Sequence, residues 1–90
     1  MAQMLAIMDV MPEGIEVNLD ELKESIKKVI ENFEAKFGEV KEEEVAFGLK
    51  RLKIVIITNE DENLDLLTDK VRSVDGVKSA EVVDVRRAIG

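Results

Sequence analysis

The 90-residue sequence contains no cysteine and no histidine, few aromatic residues and a single proline. The absence of cysteine excludes disulfides, thiolate metal sites and cysteine nucleophiles. The absence of histidine removes the most common general base and the most common transition-metal ligand. An enzyme is therefore an unfavourable interpretation, and we predict a protein with no catalytic residues, no metal and no cofactor.

Long hydrophobic runs and net positive charge are also missing. No stretch approaches the roughly 18 consecutive apolar residues that span a bilayer. The 20 acidic and 13 basic residues give a formal charge of -7, which repels a phosphate backbone at long range. Because a chain of this length supports one core, we expect one domain over residues 1–90. We expect it in the cytoplasm, bound neither to a membrane nor directly to nucleic acid.

Residues 3–11 and 47–58 have the strongest strand patterns. Residues 3–11 are apolar at nearly every position, as is typical of a central strand, and Pro12 ends the ladder because it lacks an N–H. In residues 47–58, β-branched and aliphatic residues alternate between two faces. Shorter strands are predicted over residues 35–40 and 77–85. The charged run KEEE at 41–44 is interpreted as the solvated turn of a hairpin.

Two amphipathic helices complete the pattern. Asn18 is a suitable N-cap for a helix over residues 19–33. A second helix follows the polar residues 59–63, and Gly76 is predicted to close it as a C′ glycine. The order β-α-β-β-α-β with right-handed crossovers predicts a ferredoxin-like α+β sandwich. Its four-stranded antiparallel sheet has the order 4-1-3-2, and both helices lie on one face.

The other charged and glycine-containing segments predict no chemistry. The acidic runs at 42–44 and 60–62 lack the spacing and glycine turn of a cation-binding loop. The five glycines are too scattered for a phosphate-binding loop. The central strands carry aliphatic residues rather than the aromatic and basic residues of an RNA-binding sheet.

Candidate binding residues lie at opposite ends of the predicted sheet. Phe47, beside Gly48 at the mouth of the hairpin, is either an exposed anchor for a partner or a ring folded onto the edge of the core. The other candidates are basic residues, either binding or merely solvated, that stand out in an acidic chain: Lys50, Arg51, Lys53, Arg86 and Arg87.

Four fragments resemble the archaeal translation elongation factor 1-beta family in their order, spacing and total length. They are MPE at 11–13, AFGLKRL at 46–52, DGV at 75–77 and DVRR at 84–87. The resemblance covers the whole chain. It implies guanine-nucleotide exchange, in which the protein binds elongation factor 1-alpha, the GTPase that delivers aminoacyl-tRNA, and speeds the release of its GDP.

The resemblance also implies which residues bind the partner. In eukaryotic relatives the aromatic residue before the glycine lies in the contact, which implies a binding role for Phe47. We also predict that its neighbours Gly48, Lys50 and Arg51 bind the partner. Those relatives place a near-terminal lysine close to the magnesium site of the partner. This sequence lacks that lysine, and the hypothesis is that Arg86 or Arg87 takes its place.

Two other functions are compatible with the same fold. A small-molecule-binding regulatory module would pair edge strands and would be a dimer. An RNA-binding domain would lose affinity steeply as the salt concentration rises.

Overall fold

The structure, a computed structural model, describes residues 3–33, 35–59 and 63–88. Six elements follow one another in the order β-α-β-β-α-β. Their bounds are β1 Gln3–Pro12, α1 Leu19–Asn32, β2 Lys36–Ala46, β3 Leu49–Asn59, α2 Leu64–Arg72 and β4 Val77–Ala88. Residues 60–62 of the predicted polar loop 59–63 and the chain end at 89–90 lie outside the described residues.

The four strands form one antiparallel sheet in the order β2-β3-β1-β4, which is the predicted order 4-1-3-2 read from the other edge. The ladder between β1 and β3 runs from Gln3–Asn59 to Val10–Leu52. β4 pairs with the other side of β1, and a register shift from Ile7–Asp84 to Met8–Val82 leaves Val83 as the extra residue of a bulge. The predicted ferredoxin-like fold is confirmed.

The hydrophobic core lies between the sheet and the two helices. Alternation along β1 and β3 directs every second side chain toward the helices. The fully buried strand residues are Ala6, Met8, Val10, Pro12, Leu52, Ile54 and Ile56, and the buried aliphatic residues of the helices are Leu22, Ile26, Ile30, Leu67 and Val71. The opposite face of the sheet, which we call the open face, carries the intervening residues of these strands.

Both helices begin at an asparagine cap. Asn18 Oδ1 accepts hydrogen bonds from the backbone N–H groups of Asp20 at 3.0 Å and Glu21 at 3.2 Å. Asn63 Oδ1 accepts one from Leu66 at 3.1 Å. These bonds satisfy amides that have no partner within the first helical turn. The predicted cap at Asn18 is confirmed.

The C-terminal ends of the helices differ from the prediction. α1 ends at Asn32 and Phe33 is its C-cap, one residue earlier than predicted. α2 ends at Arg72 with Ser73 as C-cap, so the prediction of Gly76 as a C′ glycine is wrong. Gly76 has a φ of 94° in the turn before β4, where its carbonyl accepts a hydrogen bond from the Glu13 amide at 2.9 Å. It joins the end of β1 to the start of β4.

The turn of the β2–β3 hairpin lies further along the chain than predicted. The acidic run at 41–44 is part of β2, which continues to Ala46, and Phe47 and Gly48 form the turn. The prediction fails because β2 is an edge strand, where charged side chains reach solvent. Cations of neighbouring elements also pair with Glu42 and Glu43, so the run is compatible with a strand.

Candidate functional site

Phe47 is fully exposed at the turn of the β2–β3 hairpin. Its side chain has 100% of its surface accessible, whereas Phe33 and Phe37 pack against the core. Of the two interpretations left open by the sequence, the ring is exposed and is not folded onto the core edge. An exposed large aromatic residue gains nothing from burial within the domain, so its position calls for an explanation outside the fold.

The backbone of Phe47 is also unfavourable for its residue type. Phe47 has a φ of 46° and Gly48 a φ of 83°. Two consecutive central residues with positive φ are typical of a type I′ hairpin turn, which favours Asn-Gly. Glycine has no Cβ and accepts this conformation, whereas another L-residue loses about 1–2 kcal/mol. Strain and exposure at one residue indicate selection for something other than stability.

The turn is carried by a projecting part of the hairpin, residues 43–51, which we call the arm. The β1–β3 ladder ends at Val10 and Leu52, whereas the β2–β3 ladder continues to Ala46 and Leu49. At about 3.3 Å per residue, an 11-residue strand such as β2 or β3 is about 36 Å long, most of the 42 Å long axis of the molecule. Residues 45–48, the tip of the arm, therefore lie at one end of the protein.

Ion pairs on the open face link the arm to the sheet. The Arg51 guanidinium donates a hydrogen bond to Glu43 Oε1, and its Nη1 lies 3.6 Å from Asp9 Oδ2. Lys53 Nζ lies 3.8 Å from Glu43 Oε2. Three neighbouring strands, β2, β3 and β1, are thereby connected across the base of the arm.

A second group of ion pairs lies on the helix-covered face. Lys23 Nζ of α1 donates to Glu42 Oε2 at 2.5 Å, and Lys50 Nζ lies 3.6 Å from Glu42 Oε1. An isolated exposed pair contributes little to stability. Because pairs on both faces act on the same strand, however, we expect them to limit bending of the arm.

The ion pairs shift the pKa of three groups. The hydrogen bond from Lys23 lowers the pKa of Glu42 below its ordinary value, and the hydrogen bond from Arg51 lowers the pKa of Glu43 in the same way. The hydrogen bond to Glu43 raises the pKa of Arg51. All three shifts favour the charged forms that make the pairs.

Acidification is expected to destabilise the protein through Glu42 and Glu43. Because each has a lower pKa in the folded state, its contribution to the free energy of unfolding is complete above the ordinary value of 4.5. That contribution is lost as the pH falls through the folded-state pKa. The test is thermal unfolding of the wild type and of the double variant Glu42→Gln/Glu43→Gln between pH 7 and pH 3. At pH 7 the double variant should have a lower melting temperature than the wild type. The variant should also lose less stability than the wild type on acidification.

Glu44→Gln is the matched control for this experiment. Glu44 belongs to the same acidic run but makes no ion pair within the part of the chain that the structure describes. The melting temperature of the Glu44→Gln variant should equal that of the wild type at each pH. If the double variant were as acid-sensitive as the wild type, the ion pairs would not be the source of the pH dependence.

Four of the predicted binding residues lie on the arm. Phe47 and Gly48 form the turn, and Lys50 and Arg51 follow in β3. Because adjacent residues of a strand point to opposite faces, Lys50 pairs with Glu42 on the helix-covered face while Arg51 pairs with Glu43 on the open face. Lys50 and Arg51 therefore do not form one continuous basic surface, and their partner-binding role stays a prediction.

Two further candidates lie at the far end of the sheet. Arg86 and Arg87 pair with Leu5 and Met4 near the start of β1, whereas the arm projects beyond its end. Arg86 Nε lies 2.8 Å from Asp84 Oδ2. The structure thus separates these arginines from Phe47 by most of the length of the sheet.

Val45 is an exposed residue of the tip that sequence reasoning misses. The β2–β3 register shifts between the pairs Glu44–Lys50 and Ala46–Leu49, so Val45 is the extra residue of a bulge. Its side chain is 45% exposed. No local signal marks this bulge, because the charged run before it suggests a turn rather than a strand.

The described residues contain no group of three or more acidic, cysteine or histidine side chains placed to hold a metal ion. No helix within them is long and apolar enough to cross a membrane. The acidic run at 60–62 lies outside the described part.

Comparison with known protein families identifies the class of this domain. Residues 5–88 match the EF-1 guanine nucleotide exchange domain. The chain therefore belongs to the EF-1 guanine nucleotide exchange domain family, whose members act as exchange factors in translation elongation rather than as catalysts of a covalent reaction.

Curated relatives with the name Elongation factor 1-beta come from archaea. The protein of Methanosarcina barkeri is 39% identical, with 97% of this chain and 99% of the relative covered. The protein of Thermococcus gammatolerans is 42% identical, with 93% of both chains covered, and that of Pyrococcus horikoshii is 40% identical with the same coverage. The resemblance inferred from the four fragments is confirmed.

A solved structure supports the fold assignment. The ACT domain from GTP pyrophosphokinase of Chlorobium tepidum superposes with a TM-score of 0.65, covering 90% of this chain and 99% of that domain. Its sequence is 23% identical. The likeness shows a shared ferredoxin-like arrangement of strands and helices and nothing about a ligand.

Proposed function

We propose that this chain binds elongation factor 1-alpha in its GDP-bound form and promotes release of the GDP, so that GTP can be reloaded during translation elongation. Membership of the exchange-domain family and the names of the archaeal relatives support this proposal. The site of action is the cytoplasm. Because this chain has a formal charge of -7, the proposed partner is a protein surface rather than nucleic acid or a membrane.

Exchange of this kind is a matter of coupled binding. A factor that binds the nucleotide-free form of a GTPase more tightly than the GDP-bound form lowers the affinity for GDP by the same factor, because linkage is reciprocal. Such a factor needs surface contacts and no general base or nucleophile. A chain without cysteine or histidine is suited to this role.

The observation that carries the proposal is the state of Phe47, whose side chain is fully exposed and whose backbone has a left-handed conformation. An aromatic side chain at a protruding turn fits a hydrophobic pocket on a partner, and such residues often dominate the binding energy of an interface. The ion pairs at the base of the arm support this role because they hold the ring in a defined place before binding. Pre-organisation of this kind lowers the entropy lost on association.

A second contact is proposed at the opposite end of the sheet. There Arg86 or Arg87 approaches the partner near its magnesium site, in place of the lysine of eukaryotic relatives. The separation of these arginines from Phe47 suits a partner that presents two domains. Contact at both ends would favour one arrangement of those domains over another, which is what stabilising the nucleotide-free form requires.

Release of a fluorescent GDP analogue from archaeal elongation factor 1-alpha tests the proposal. With excess unlabelled GDP present, increasing amounts of this protein should accelerate the fluorescence change until the rate saturates. The control is the same titration with heat-denatured protein. A release rate that does not respond to the folded protein would contradict the proposed function.

A further inference from the structure

We propose that Val45 is a second apolar anchor at the tip of the arm, and that it enters the same hydrophobic cleft of the GTP-binding partner as Phe47. This inference rests on the proposed function and deepens it, because it names a further residue that sets the affinity for the partner. Its basis is the bulge in β2 and the unusual composition of the tip.

Val45 is the extra residue of the bulge and has no register partner in β3. Up to the Glu44–Lys50 pair, β2 alternates regularly against β3, and the next pair is Ala46–Leu49. The inserted Val45 is thereby released from the alternation that governs its neighbours. Bulges commonly re-aim a side chain near a functional site, and here the result is a valine with 45% of its surface exposed.

The tip is uncharged, in contrast to the rest of the arm. The exposed sequence Val-Ala-Phe-Gly at 45–48 contains no charged residue, whereas the charged runs KEEE at 41–44 and KRLK at 50–53 lie on either side of it. Four consecutive exposed residues without charge are unusual in a chain in which 37% of residues are charged. Contiguous exposed apolar residues mark contact surfaces.

The tip has free space around it. A Cβ added at Gly48 would meet no other atom within 4 Å, so nothing among the described residues packs against this side of the turn. Val45 lies outside the core and outside the partly buried residues that pack against it. Neither observation gives Val45 a stabilising role within the domain.

The occupant of this surface is an apolar cleft rather than a charged one. Two of the three acids that precede the tip, Glu42 and Glu43, are neutralised by Lys23, Lys50, Arg51 and Lys53, whereas Glu44 makes no ion pair within the described residues. The apolar tip remains for intermolecular contact. A second copy of the chain is disfavoured because each copy carries a formal charge of -7.

Val45→Thr tests the inference because threonine keeps the β-branched shape and replaces one methyl group with a hydroxyl. The release rate of fluorescent GDP from elongation factor 1-alpha is measured against the concentration of each variant. Burying an unpaired hydroxyl should raise the half-saturating concentration about 10-fold, while the maximal rate stays near the wild-type value. Melting temperatures establish that each variant is folded, and Val45→Ala replaces Val45→Thr if the latter is not.

Val83→Thr is the matched control. Val83 is also the extra residue of a bulge, in the β1–β4 ladder, and its side chain is 47% exposed, but it lies outside the arm. The half-saturating concentration of the Val83→Thr variant should stay within about twofold of the wild-type value, which is the scatter expected for neutral surface changes. Equal behaviour of the two threonine variants would overturn the inference.

Phe47→Ala separates failure of this inference from failure of the proposed function. If Phe47→Ala weakens exchange while Val45→Thr does not, Val45 is not an anchor and the proposed function stands. If the wild-type protein itself does not accelerate release, the proposed function fails and the inference fails with it. Loss of affinity in both variants, with Val83→Thr unchanged, supports both.

Discussion

Phe47→Asn is expected to make the domain more stable while removing most of its exchange activity. Asparagine tolerates the positive φ of a type I′ turn better than phenylalanine does, and no burial is lost because the ring is fully exposed. We expect the free energy of unfolding to rise by about 1 kcal/mol, which corresponds to about 4–8 °C in melting temperature. Loss of an aromatic anchor should weaken partner binding by about 30-fold or more.

Ile15→Asn is the control for this substitution. Ile15 is an exposed apolar residue outside the arm, with 70% of its surface accessible, so the same change of residue type should leave exchange and melting temperature near wild-type values. Differential scanning calorimetry and the nucleotide-release assay measure the two effects. A less stable Phe47→Asn variant would mean that Phe47 serves the fold. A variant with full exchange activity would mean that Phe47 is not an anchor for the partner.

Ile54→Ala is expected to have the opposite profile. Ile54 is fully buried on the central strand β3, between β1 and β2, and a truncated core isoleucine commonly lowers the free energy of unfolding by about 2–5 kcal/mol. This is a large part of the about 5–15 kcal/mol that stabilises a typical domain. Because the arm is unchanged, exchange per folded molecule should stay near the wild-type value well below the melting temperature.

Ile57→Ala gives the comparison on the same strand. Ile57 points to the open face and is partly buried, so less apolar surface is lost and the destabilisation should be smaller than for Ile54→Ala. Chemical denaturation of both variants measures the difference. Equal losses would contradict the assignment of the core to the helix-covered face of the sheet.

The central part of the fold was predictable because its sequence signals agree. The alternation of Leu52, Ile54 and Ile56 identifies both the strand and its buried face, and the structure buries all three. Asn18 indicates the start of α1, and its side chain makes the expected capping bonds. The strand order then follows from the handedness of the crossovers, so local pattern and topology lead to one arrangement.

The outer half of the hairpin was not predictable because its stability depends on partners distant in sequence. Glu42 is neutralised by Lys23 of α1, 19 residues away, and a local reading of four charged residues instead indicates a turn. Placing the turn at 41–44 hides both the length of β2 and the bulge at Val45. Phe47 adds to the difficulty, since phenylalanine is not the residue that a type I′ turn favours.

The candidate site was only partly predictable, because the sequence marks Phe47 but does not show the ion pairs of the basic residues near it. Phe47 stands out in the sequence because it lies between Ala46 and Gly48 at the mouth of the predicted hairpin, and its exposure agrees with the anchor interpretation. The basic residues near it were harder to interpret, since whether Lys50 and Arg51 are available depends on the acids across the strand. Those pairs, Lys50 with Glu42 and Arg51 with Glu43, are seen only in the folded structure, where β2 lies beside β3.

Fluorine NMR of the protein labelled with 4-fluorophenylalanine tests most directly whether the tip of the arm binds the GTPase. The three phenylalanines give three resonances, and Phe33 and Phe37, which pack against the core, serve as internal controls. Addition of nucleotide-free elongation factor 1-alpha should change the chemical shift of Phe47 and leave those of Phe33 and Phe37 in place. An unchanged Phe47 resonance under conditions in which nucleotide release is accelerated would contradict the account.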